Sequence, residues 1–138
     1  DEQYVLSHPY LYDMNLRDFS ELARADGLLV VQAHPFRSGM TVMPPELLDG
    51  YEVFNGAVGH HSRNPIARAW CRMHGKIPTS GSDFHNPDSV ADAGILTDEP
   101  ITDMNRLCAV LRSGDYTLHC AGPLSEQEGL TDFPAKTL

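Results

Sequence analysis

LLVVQAHP, residues 28–35, is the stretch whose reading decides the fold. Four consecutive apolar residues, Leu28 to Val31, followed by Gln32 and Ala33, have the length and composition of a strand buried on both faces, as in a parallel sheet. Gly27 stops the helix before it, in which Leu16, Phe19 and Ala23 recur at helical spacing behind an Asn15 N-cap. Pro35 fixes the backbone after His34 and ends strand pairing there.

Working outward, the same alternation continues. Residues 35–45 are loop, rich in Gly, Ser and Pro, and lead through a short helical turn over 46–48 to a second strand over 51–54. Asn64 and Pro65 read as the N-cap and first residue of a helix running to about His74 and ended by Gly75. Ile66, Trp70 and Met73 are its expected inner stripe, with Arg68 and Arg72 opposite. A third strand over 76–80 opens into a polar loop, 81–92, and Ile95 and Leu96 suggest another strand. The spacing predicts a helix over 102–111, with Met104, Leu107, Cys108 and Leu111 on one face and Gly114 as its stop, then a last strand over 116–119. From about residue 122 no period is visible and the tail reads as irregular. Strands alternating with amphipathic helices predict an α/β architecture with a largely parallel sheet, in a single domain over 1–138 without repeat or linker.

Composition narrows the partners. Ten basic against nineteen acidic residues give a formal charge of −9. That disfavours nucleic acid and anionic membrane as partners, since both need a cationic face, though a small positive pocket remains compatible with it. No apolar run approaches the roughly 20 residues that span a bilayer. The three cysteines, Cys71, Cys108 and Cys120, are odd in number and lack metal-finger spacing, so they read as free thiols, and reduced thiols fit a cytoplasmic protein. The chain begins with Asp1, without a signal-peptide pattern, which creates the expectation of a piece of a longer polypeptide.

In α/β folds, sites form beyond the carboxyl ends of strands, and three segments place polar residues there. His34 follows the first strand and can serve as a metal ligand through a neutral ring nitrogen, although alone it reads as structural. Glu52 and Asn55 sit on and just after the second strand. A carboxylate in an apolar strand needs partners, so bracing of neighbouring loops is the plain reading of this pair. The third segment, TSGSDFH over 79–85, is the most specific. Asp83 and His85, two apart in extended chain, project to the same side and can serve one metal cluster, while Gly81 lets the chain turn tightly. Carboxylate and imidazole together suit zinc, iron or manganese.

The ordered set AHPFR, EVFNG and GSDFH resembles the later motifs of the polymerase-and-histidinol-phosphatase (PHP) superfamily of metal-dependent phosphoesterases. The likeness runs from about Leu28 to Asp88 and is nearest to the stand-alone bacterial members. It implies the C-terminal portion of a distorted seven-stranded β/α barrel, with divalent ions at the strand ends and a small phosphorylated substrate. By this match His34 is a metal ligand, Asp83 a ligand and catalytic residue beside the attacking water, and His85 a ligand to a neighbouring ion. Arg37 becomes a phosphate contact, and Glu52 and Asn55 play supporting roles.

The chain also departs from the family. The early motif, a His-x-His pair after the first strand, is absent, as is the bridging glutamate that follows it. His60 and His61 read as an ordinary polar loop, His74 and His119 as structural, and His8 fills no missing position. The expectation is therefore one wall of a phosphoesterase site, inactive alone, that associates with copies of itself or with a missing N-terminal half. The alternative is a non-catalytic α/β binding or structural module that retains these residues.

Overall fold

Strand β2 (Gly50–Asn55) is flanked on both sides by parallel neighbours, β1 (Val31–Gln32) and β3 (Ile77–Gly81), in a computed structural model that describes residues 2–85, 87 and 92–138. Tyr51, Val53 and Phe54 of β2 are fully buried, as a middle strand of a covered parallel sheet must be. Gly50 permits the close approach at its start. A Cβ there would stand 2.5 Å from the Ile77 carbonyl oxygen and 3.1 Å from Val31 Cγ2, one atom on each neighbouring strand.

The strand expected over 28–33 is shorter than the apolar run. Asp49 takes the chain before it: its carboxylate accepts from the Val30 N–H (2.8 Å), while the Val30 carbonyl accepts from the N–H groups of Asp49 and Gly50. Only Val31 and Gln32 join the ladder. Gln32 is buried and satisfied, donating to the Thr41 carbonyl and accepting from the Met43 N–H, which ties the following loop back onto the sheet.

A short helix, α1 (Glu2–Ser7), precedes α2 (Leu16–Ala25), whose Asn15 cap accepts from the Asp18 N–H as expected. Helix α3 (Asn64–Met73) departs from its expected face. Its buried residues are Asn64, Ala67 and Cys71, whereas Ile66 and Met73 are 48% and 67% exposed. Two polar contacts turn the helix. Asn64 is paired with the Asn55 backbone, accepting from its N–H (3.0 Å) and donating to its carbonyl (3.2 Å), and Arg68 faces inward to Glu128 (3.0 Å). Asn64 is therefore an inward bracket rather than a cap.

The remaining strands form a second, antiparallel sheet: β4 (Ala93–Leu96), β5 (Thr117–Cys120) and β6 (Phe133–Pro134). Helix α4 (Met104–Ser113) lies between the first two, capped by Asp103 and closed by Gly114 in the left-handed region. The α/β class holds, but the sheet is parallel only in its first half, and among the described residues no barrel closes. Nor is the tail irregular. It forms α5 (Gly122–Glu128) and β6, and Leu124, Leu130, Phe133 and Leu138 pack against the core. A helix of two turns followed by a two-residue strand is too short to reveal a period. Of the expected 81–92 loop, residues 86 and 88–91, including the Asp88 boundary of the family likeness, lie outside the described residues.

Hydroxyl groups join the two sheets. The Tyr116 hydroxyl donates to the Pro78 carbonyl (2.6 Å) and Ser80 Oγ to the His119 carbonyl (2.7 Å). Pro78 cannot donate to a ladder, so side chains take over where backbone pairing stops. One apolar cluster runs beneath both sheets, from Val30 and Phe54 to Leu118 and Ala135. Cys71, Cys108 and Cys120 are all buried and free.

Tyr116→Phe leaves the Pro78 carbonyl unsatisfied and should cost about 1–2 kcal/mol in urea unfolding. Burial holds the Tyr116 phenol above its ordinary value, so the unfolded chain ionises first. Stability should therefore be intact below about pH 10 and fall as pH rises beyond it, less steeply in the variant.

Candidate functional site

The carboxyl ends of β1, β2 and β3 open onto one rim, and the loops leaving them carry His34, His60, and Asp83 with His85. Four non-glycine residues with positive φ lie in these loops: His34 (31°), His61 (49°), Arg63 (51°) and Asp83 (50°). Left-handed backbone costs an ordinary residue about 1–2 kcal/mol, so strain is concentrated where the site residues stand.

A bulge in β2 shapes the rim. The pairing with β3 shifts between Glu52 and Phe54, leaving Val53 without a partner. Residues three apart in a regular strand point to opposite faces. Here the Asn55 side chain instead reaches Glu52, its Nδ2 donating to Oε2 at 3.0 Å. The same oxygen accepts from the His34 N–H at 2.7 Å. Burial pushes the Glu52 carboxyl up, and the bonds from Asn55 and His34 only partly offset it. Glu52 and Asn55 thus hold the turn at His34. The His34 ring presents a buried Nδ1 that has no partner among the described residues.

Asp83 is the other centre. Its Oδ2 lies 2.7 Å from His60 Nδ1 and its Oδ1 3.2 Å from His85 Nε2, with the two imidazole rings 6.2 Å apart. The Asp83 side chain is 14% exposed and that of His85 69%, so the carboxylate is sunk in the rim and one imidazole stands over it. Burial pushes the Asp83 carboxyl up. Hydrogen bonds from His60 and Asn55, with the charges of His60 and His34, outweigh that and leave it below the usual carboxylate range.

Of the residues expected from sequence, Asp83 and His85 are in contact, and His34, Glu52 and Asn55 form a second connected set that meets Asp83 through Asn55. Arg37 closes the turn after His34 through its backbone N–H (3.0 Å), and its guanidinium has no hydrogen bond or ion pair among the described residues. His60 was the residue missed. Adjacent histidines carry no ligand spacing. The available signal was position: His60 lies in the loop leaving the carboxyl end of the second strand, on the rim shared by His34 and Asp83. Among the described residues no group of three or more His, Cys, Asp or Glu is arranged to hold a metal ion. The donor chemistry fits a metal, and the gathering of donors is partial.

Residues 61–116 match the family model described as PHP-associated. The match is consistent with the C-terminal region of a PHP-superfamily protein, as the three motifs indicated. The matched stretch contains α3, β3, β4 and α4 and carries Asp83 and His85, while His34, Glu52, Asn55 and His60 precede it. Nothing among curated proteins or solved structures matches the chain. No helix among the described residues is long and apolar enough to cross a membrane.

Two consequences can be measured. A Cβ at Gly81 would collide with Glu52 Oε1, so Gly81→Ala should pull Glu52 from His34 and Asn55 and lower stability by about 1–3 kcal/mol in urea unfolding. The Asp83 carboxyl should titrate below the ordinary value of about 3.9 in a carbon-13 NMR titration, and move up in His60→Ala. Because its folded value is depressed, the stability it contributes is present above that ordinary value and lost as pH falls through the folded one.

Proposed function

We propose that this chain forms one wall of a metal-dependent phosphoesterase site, with His34, Asp83 and His85 as ligands. The observation that carries the reading is Asp83, a largely buried carboxylate held in its charged form between two imidazoles at a strand-end rim. The buried His34 Nδ1, which has no partner among the described residues, supports it, because an imidazole nitrogen left without a partner is costly unless something binds it. Imidazole and carboxylate donors suit zinc, manganese or iron. A divalent cation held here supplies positive charge to phosphate oxygens and acidifies a bound water.

The chain's own residues divide the remaining work. Asp83 stays ionised, so it can orient an attacking water and accept its proton. His60, donating through Nδ1, fixes the direction of that carboxylate and keeps Nε2 available. Glu52 and Asn55 hold His34 in its strained turn. Arg37, its guanidinium unengaged among the described residues, is available to a substrate phosphate.

In this reading β1, β2 and β3 are parallel strands of a distorted β/α barrel, and further ligands come from a preceding segment or from a second copy. The outer edge of β1 has no partner among the described residues and is where another strand would add. The partial gathering of donors favours one other reading, a non-catalytic module that keeps the rim for structure or binding.

The test loads metal-depleted protein with zinc or manganese, counts metal per chain by mass spectrometry, and assays a generic phosphoester. It compares the chain alone with a version extended at its N-terminus. The extended protein should bind metal stoichiometrically and turn over, and Asp83→Asn should reduce its rate by about a hundredfold or more. An extended protein equally inactive and free of metal establishes the non-catalytic reading instead.

A further inference from the structure

His60 reaches Asp83 from a loop that has little backbone support of its own. Between β2 and α3, no N–H group from Val58 to Arg63 makes a hydrogen bond among the described residues. His61 (φ 49°) and Arg63 (φ 51°) stand in left-handed backbone, which disfavours every side chain. The loop therefore does not take this course by local preference, and side-chain contacts must hold it.

Those contacts pull the loop to both sides. It leaves the middle strand of the parallel sheet, where Asn55 Oδ1 accepts from the Ala57 N–H at 3.1 Å. On the β3 side His60 Nδ1 meets Asp83 Oδ2 at 2.7 Å. On the β1 side Arg63 crosses to the loop that carries His34. Its Nη1 donates to the Phe36 carbonyl at 2.6 Å and its Nη2 to Ser38 Oγ at 3.2 Å. No other residue makes a hydrogen bond between these two loops among the described residues.

The chemistry of the bridge suits arginine. A planar guanidinium presents its donors in fixed directions, so two acceptors engaged at once define the position of the loop end, as a single ammonium would not. The Arg63 carbonyl meanwhile accepts from the N–H groups of Ile66 and Ala67, so the same residue joins the loop end to the first turn of α3. Without the bridge, the left-handed residues are free to relax, and His60, three positions before Arg63, is free to leave Asp83 with them.

We propose that Arg63 is a positioning residue of the rim: by tying the β2–α3 loop to the His34 loop it holds His60 on Asp83, and so sets the affinity of the rim for a divalent cation. It acts through His60 and touches neither the ion nor the substrate. The second half of the proposal rests on the metal-dependent reading of the rim.

The experiment reads the two halves separately. In metal-free chain, nitrogen-15 NMR of the imidazoles in mildly alkaline buffer reports which ring nitrogen of neutral His60 carries the proton. The bond to Asp83 should fix it on Nδ1. Arg63→Asn should lose that signature, while the thermal midpoint stays unchanged or rises, because asparagine tolerates left-handed backbone. Arg63→Lys, which keeps the charge and reaches one acceptor, should retain part of it. In the N-terminally extended protein, Arg63→Asn should weaken zinc binding by about tenfold, as loss of a partner behind a ligand does. A proton that stays on His60 Nδ1 in Arg63→Asn, an Arg63→Lys variant no better than Arg63→Asn, or unchanged zinc affinity after the signature is lost would each overturn the proposal. If the unaltered extended protein binds no zinc, the metal reading and the affinity half fail together, and the imidazole signature still decides whether Arg63 holds His60.

Discussion

Glu52 is a carboxylate set in a strand whose neighbours Tyr51, Val53 and Phe54 are fully buried, and such a group cannot be left without donors. The backbone N–H of His34 and the side chain of Asn55 supply them. Each of those bonds constrains something else. The first holds His34 in left-handed backbone at the end of β1, and the second requires the bulge that turns Asn55 toward the rim. Asn55 in turn meets Asp83, and its backbone holds Asn64 at the start of α3. From this one oxygen the positions of three loops and the rotation of a helix follow.

The second constraint is the change of pairing after β3. A parallel sheet carrying Pro78 gives way to an antiparallel one, and the contact between them is made by the hydroxyls of Tyr116 and Ser80. The apolar residues of the last segment complete the cover. The tail that carries no period in the sequence is thus integral to the core, and α5 supplies the Glu128 that draws Arg68 inward.

The legible parts of the fold were those governed by local chemistry. Asn15 and Gly114 acted as cap and stop because capping depends on residues a few positions away. The strand at 50–55 was legible because a run of large buried side chains needs no partner to be recognised. The inner face of α3 was misread because hydrophobic spacing ranks Ile66 and Met73 above Asn64, while two side-chain pairs, Asn64 with Asn55 and Arg68 with Glu128, reverse that ranking. Those partners lie nine and sixty residues away, beyond any window of periodicity.

For the rim, the sequence by itself determined which residues stand beyond strand ends: His34 before Pro35, and Asp83 and His85 after Gly81, the last two inside the stretch 61–116 that matches the PHP-associated model. Position along the chain suffices there because loops leaving the carboxyl ends of parallel strands open onto one rim, although Asp83 stands in left-handed backbone rather than the extended chain expected for Asp83 and His85. Only the tertiary structure decided that His60 joins Asp83, that Glu52 serves His34 rather than the open mouth of the site, and that the strands form two sheets of opposite character. Those outcomes depend on how separate loops meet across a bulged strand. The free energy of burying a carboxylate fixes that meeting, and no local pattern records it.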